Sequence, residues 1–195
     1  MKIVKIAAAL TGLLIVSPLV QAQQAPYVFG NLGYNFSLGT LTHSSKESKS
    51  EEGTGSGIGE IGFGYRYSNF AAELSAYGNT KRNGYTNYGA RLGLLAYLPI
   101  EGSAFEPYAK ISAGYERIQF KNEAYDFSKE KKNHWFQPGF AVGVAYKIDE
   151  QLSVRAEYEH VRNAYNSALK TRDEKYSVIR VQNTNAFKIG LTYSF

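Results

Sequence analysis

The chain has 195 residues, no cysteine and a formal net charge of +5. That length fits one domain, and the absence of cysteine excludes a disulfide frame or a thiolate metal centre, so stability has to come from packing and a backbone ladder. The mild basicity gives no reason to expect a nucleic-acid partner; where the charges lie matters more than their sum.

The N-terminus reads as an export leader. "MKIVK" is a short basic region, followed by the apolar run "IAAALTGLLIVSPLV". A spanning helix wants about twenty apolar residues, and this run is shorter and broken by Pro18. "VQA" before Gln23 offers small residues for cleavage after Ala22, so 1–22 is predicted to be a signal peptide. Loss of Lys2 and Lys5 leaves a mature chain, 23–195, of charge +3. No later stretch is long and apolar enough for a transmembrane helix, which excludes a helical membrane protein but not a barrel.

From there on, alternation with period two dominates, with 19 glycines and 16 tyrosines. In chain order it predicts strands over 26–38, 58–67, 70–80, 85–98, 106–120, 134–148, 152–162 and 178–195. Between them, "GTLTHSSKESKSEEGTGSG", "KNEAYDFSKEKKN" and "NAYNSALKTRDEKY" are long connections. "SN" at 68–69 and "DEQ" at 149–151 are tight turns, "KRNG" at 81–84 is a hairpin loop and "PIEGSAF" at 99–105 is fairly short. Longer and shorter connections alternate, as in an up-and-down outer-membrane barrel with short periplasmic turns and longer outer loops. An even strand number puts both termini on the periplasmic side.

One face of each strand is apolar: Phe136, Phe140, Val142, Val144 and Tyr146 in 134–148, or Leu152, Val154, Ala156 and Tyr158 in 152–162. The other is small or charged: Gln137, Gly139, Ala141, Gly143, Ala145 and Lys147, or Ser153, Arg155, Glu157 and Glu159. Periodicity does not say which face is inside. A soluble barrel would turn the apolar face inward and leave many glycines outside, where they weaken strands and pack nothing. A membrane barrel turns it to lipid, and about eight strands then leave an interior just wide enough for side chains. The predicted fold is therefore an all-β, eight-stranded antiparallel up-and-down transmembrane barrel, closed because hydrocarbon satisfies no bare edge.

"LSVRAEYEHVRNA", "FEPYAKISAGY", "FQPGFAVGVAYKIDEQ" and the closing "TNAFKIGLTYSF" resemble strands of the OmpA-like transmembrane barrel family and of the small opacity-type surface barrels. The resemblance covers roughly 23–195. It implies residence in the Gram-negative outer membrane, with lipid and lipopolysaccharide as surroundings, and insertion by the barrel assembly machinery with the C-terminal aromatic, here Phe195, as recognition signal. Larger OmpA relatives carry a peptidoglycan-binding domain after the barrel; this chain ends at Phe195, so a cell-wall tether is not expected.

Glu60, Arg66, Glu73, Arg91, Lys110, Glu116, Lys147, Arg155, Glu157 and Lys188 fall on the small-residue face. Unpaired charges in a narrow interior are costly, so a linked salt-bridge network is predicted: Glu73, Lys110, Arg155 and Glu157 at one level, Glu60, Arg91 and Lys188 at a higher one. It fills the lumen as a plug; the alternative is a gate for a small ion-conducting pore, as interior pairs have been read in OmpA. Outside, Lys121, Lys129, Lys131 and Lys132 mark one loop, and Arg162, Lys170, Arg172, Lys175 and Arg180 the last. Such basic surfaces attract lipopolysaccharide phosphates or acidic host ligands. His160, Arg162 and Asn163 echo the His-x-Ser-Asn pattern of barrels that deacylate lipid A, but arginine replaces the nucleophilic serine. The reading is a monomeric, non-catalytic barrel without cofactor or metal, which supports the envelope and presents loops for adhesion or host contact.

Overall fold

A computed structural model describes residues 24–37, 55–80, 85–120, 134–170 and 176–195. The predicted leader, 1–22, lies outside the described residues, as do Lys121, Lys129, Lys131, Lys132, Arg172 and Lys175.

Eight strands are present: β1 (Gln24–Ser37), β2 (Ser56–Tyr67), β3 (Phe70–Asn79), β4 (Tyr85–Tyr97), β5 (Phe105–Phe120), β6 (His134–Lys147), β7 (Leu152–Lys170) and β8 (Tyr176–Ser194). Each pairs antiparallel with its chain neighbours, and β1 pairs with β8 from Tyr27↔Ser194 to Ser37↔Thr184, closing the barrel. The fold is the up-and-down barrel that the alternation predicts.

The apolar face points outward. Leu32, Ile61 and Phe136 are 75, 70 and 66 % exposed, while Glu157 and Lys188 are 1 % exposed. No soluble protein leaves so continuous an apolar belt bare; it is a lipid-facing band.

At one end the connections are tight. Ser68 adopts φ 56° in the β2–β3 turn, and its carbonyl accepts from Arg66 Nε at 2.8 Å. Asp149 Oδ1 accepts from the N–H groups of Gln151 and Leu152 at 2.8 and 2.7 Å, which folds the β6–β7 turn. The last residue belongs to this end: Phe195 N–H donates to the Pro26 carbonyl at 3.1 Å, and its ring meets Tyr193 edge-on at 5.4 Å.

The inner face is more than small and charged. Tyr27, Phe29, Tyr77 and Tyr108 also point inward and are buried. Each stands directly opposite a glycine on the neighbouring strand: Tyr27↔Gly64, Phe29↔Gly62, Tyr77↔Gly89 and Tyr108↔Gly143. A Cβ at any of these glycines would collide with the facing ring. The interior glycines are therefore the space into which the aromatics lie, a pairing known to strengthen sheets.

β7 and β8 run farther than the alternation predicts. β7 continues past 162 to Lys170 and β8 begins at Tyr176 rather than 178. The register between them shifts between Arg162 and Tyr165. Such a bulge interrupts period two, so the pattern stops being readable while the ladder continues.

The β6–β7 ladder stops early, at Gly139↔Val161, although β6 extends to His134. Pro138 occupies the next rung. Ile148 N–H donates to the Leu152 carbonyl, and every second residue of an antiparallel strand presents its backbone to the same neighbour. Position 138 therefore faces β7, and proline has no N–H to offer. Beyond this rung β7 pairs with β8 alone among the described residues.

The glycine–aromatic pairs yield a prediction. Gly64→Val drives a side chain into Tyr27, whereas Gly30, outward-facing, has nothing within 4 Å of an added Cβ. Overpacking costs about 1–3 kcal/mol. Urea titration of the refolded barrel, followed by its heat-modifiable gel mobility, should show a lower midpoint for Gly64→Val and an unchanged one for Gly30→Val. Equal midpoints would refute the space-filling role.

Candidate functional site

The lumen collects the polar chemistry of the barrel in layers. Nearest the tight turns, Arg66 on β2 donates to Glu106 on β5 through both terminal nitrogens at 2.9 and 3.1 Å. Lys147 reaches the same carboxylate at 3.0 Å. Here the lumen opens as a cavity of about 380 Å³, walled by Arg66, Glu106 and Lys147 and floored by Tyr27, Tyr97, Tyr108 and Arg155.

The floor is an aromatic layer. Tyr97 and Tyr108 lie 5.4 Å apart, with the Arg66 guanidinium 4.2 Å from the Tyr97 ring centroid and that of Arg155 4.6 Å from Phe29. Such stacking holds a guanidinium flat and adds cation–π attraction where water is scarce.

Above it sits the main network. Arg155 Nη1 donates to Glu73 at 2.6 Å and Nη2 reaches Glu157 at 3.3 Å. Lys110 lies 2.7 Å from Glu157 and 3.8 Å from Glu73. The Tyr27 and Tyr108 hydroxyls donate to Glu73 and Glu157, both at 3.1 Å. One level higher, Lys188 Nζ touches Glu60 at 2.9 Å, Glu157 at 2.8 Å and Glu159 at 3.1 Å. Arg91 holds Glu159 at 2.7 Å. Asn31 Nδ2 and Ser75 Oγ donate to Glu60 at 2.9 and 2.7 Å.

Arg91, Lys110, Arg155 and Lys188 thus face Glu60, Glu73, Glu157 and Glu159, equal in number and opposite in sign. All eight side chains are at most 5 % exposed. Each ammonium or carboxylate loses its hydration there and regains it as ion pairs and hydroxyl bonds, the condition under which a buried charge is tolerated. Toward the other end the Tyr77 hydroxyl lies 3.2 Å from Glu116 and 2.9 Å from Gln137.

The predicted network residues all lie in the lumen. Glu73, Lys110, Arg155 and Glu157 form one level, and Glu60 and Lys188 meet above it. Arg91 joins them through Glu159 rather than directly. Arg66 forms a separate pair with Glu106. Glu159 and Glu106 are missing from the predicted set, though alternation places both inward: Glu159 is two residues past Glu157 and Glu106 four before Lys110. Of the predicted loop contacts, Arg162 is described and exposed on the outer face of β7; the side chains of Lys170 and Arg180 lie outside what is described.

His160 is also on the outer face. Its Nδ1 lies 2.8 Å from Asn185 Oδ1, which also accepts from the Tyr158 hydroxyl at 3.0 Å. Its described hydrogen-bond partner is thus an amide, not the serine a hydrolytic dyad needs.

Solved structures share the architecture. Neisserial surface protein A is 15 % identical with a TM-score of 0.62, over 87 % of this chain and 97 % of that one. Outer membrane protein H of P. aeruginosa is 15 % identical with a TM-score of 0.55, over 86 and 99 %. The N-terminal β-barrel domain of Pseudomonas aeruginosa OprF is 12 % identical with a TM-score of 0.52, over 90 and 100 %. At such identities the likeness speaks for the fold alone. No curated protein matches the sequence. The model of the outer membrane protein β-barrel domain, however, matches residues 6–195. With its lipid-facing belt and closed ladder, the chain belongs to this family of Gram-negative outer-membrane barrels.

Proposed function

We propose that the barrel acts without catalysis, as a lumen-plugged element that supports the outer membrane and displays its outer loops at the cell surface. One observation carries this reading: the charge-balanced, water-excluding network of Arg91, Lys110, Arg155 and Lys188 with four glutamates across the mid-lumen. An eight-stranded interior is ordinarily filled by side chains, and this one is filled by charges that pair with one another, with Arg91 Nε and Arg155 Nε left without a described acceptor. The amide partner of His160 argues against acyl transfer on lipid A. Export through a cleaved leader at 1–22, assembly signalled by Phe195, a monomeric state, and surroundings of lipid and lipopolysaccharide belong to the same reading. The loops between β1 and β2, β5 and β6, and β7 and β8 are the segments available for adhesion or a host surface ligand.

The second reading is a small pore gated by the network. Lys188 already touches three carboxylates, so exchange of partners is the move such a gate would use.

Four measurements test these readings. Removing one partner of a buried pair costs about 3–5 kcal/mol, so Arg155→Ala should lower the urea midpoint strongly. In planar bilayers wild type and Arg155→Ala should carry the same low current; a stepwise rise in the variant would favour the pore. In cells, loss of the entire protein should raise detergent sensitivity, deletion of 121–133 should not, and mass spectra of lipid A should be identical with and without the protein. An altered acylation pattern would overturn the non-catalytic reading.

A further inference from the structure

The outer face of the described strands is apolar or uncharged at nearly every position. Among the described side chains two break this rule, Arg117 on β5 and Arg162 on β7, both exposed. They flank β6 on either side: Arg117 pairs with His134, and Arg162 stands one rung beyond Gly139↔Val161. Both lie toward the end opposite the tight turns, which is the outer-leaflet side. Neither has an ion-pair partner among the described residues.

Between the arginines β6 stays apolar. Phe136 and Phe140 are 66 and 53 % exposed, with Pro138 between them. Phe140 still pairs with His160, but beside Phe136 the β6–β7 ladder has ended, so the backbone of Phe136, an even-numbered position like Ile148, faces the side where pairing has stopped. His160, just below, turns its ring to Phe140 at 5.2 Å between centroids. An apolar strip thus leads up to two guanidiniums and an unpaired strand edge.

A charge on the lipid face costs least near the interface, so placement alone is tolerable. What it does not explain is sign and position. Both described outward charges are cations, both are arginines, and they flank the strand whose ladder to β7 ends early. Arginine is the side chain that matches phosphate with paired N–H donors. We infer that the outer end of β5–β7 is a binding site for a phosphorylated glycolipid of the outer leaflet, with Arg117 and Arg162 on its phosphates and its acyl chains along Phe136 and Phe140.

This rests on the reading of the chain as an outer-membrane resident and deepens it by naming a lipid site. The test uses the barrel refolded into phosphatidylcholine micelles and titrated with bisphosphorylated lipid A, retained lipid being counted by native mass spectrometry. Wild type should retain this lipid at least tenfold better than the same lipid without its phosphates, and millimolar inorganic phosphate should not compete. Arg117→Gln/Arg162→Gln, with the heat-modifiable mobility of the folded barrel retained, should lose at least tenfold in affinity. Equal retention of the dephosphorylated lipid, displacement by free phosphate, or wild-type affinity in the folded double variant would each overturn the site. None of these outcomes touches the plugged-barrel reading, which bilayer current and detergent sensitivity test separately.

Discussion

Everything in this barrel depends on one constraint: hydrocarbon offers no hydrogen bonds to a backbone. The sheet therefore closes, β1 on β8, and closure at eight strands fixes a lumen too narrow for bulk water. Where the lumen is filled by side chains, its contents must pair with one another. Four of the aromatic side chains find volume where the facing residue has no side chain, so Tyr27, Phe29, Tyr77 and Tyr108 meet Gly64, Gly62, Gly89 and Gly143. Charges are tolerated only in balance, so four cations interlock with four glutamates. The aromatic layer and the ionic layer are two solutions to the same shortage of space and water.

The two ends of the barrel solve a different problem, how a ladder stops. At the tight-turn end it stops by satisfying itself: Asp149 takes two turn amides, and Phe195 N–H bonds Pro26. At the outer end the β6–β7 ladder stops at Pro138, which withholds a donor on the β7 side. An unpaired strand edge costs least near polar groups, and Arg117 and Arg162 stand on the strands to either side of this edge. The chemistry of each end reflects the medium it meets.

Much of this was legible in the sequence, and the parts that were not share a cause. Strand positions follow from a period of two, which every uninterrupted strand displays. The bulge between Arg162 and Tyr165 hides the upper halves of β7 and β8 because it breaks that period without breaking the ladder. The inward direction of the charges was readable from the glycines beside them. Who pairs with whom was not: Arg91 and Glu159 are 68 residues apart in the chain and meet only because strand tilt and register bring β4 and β7 face to face across the lumen. Alternation gives the face of a residue, and counting from the strand ends gives its level, but neither gives its partner.

Height is what decides between plug and gate. Lys188 stands where the two ionic levels join, in contact with Glu60, Glu157 and Glu159 at once. Moving it away from any one of them leaves that carboxylate to Arg91, Lys110 or Arg155, each already engaged. The layer below is closed by Tyr27 and Tyr108, whose hydroxyls hold Glu73 and Glu157 and whose rings lie over Gly64 and Gly143. An ion path would need the charges and the rings to move together. In a lumen where each group holds several others, partial rearrangement strands a charge in low dielectric, and that coupling is the physical reason for a filled barrel to stay filled.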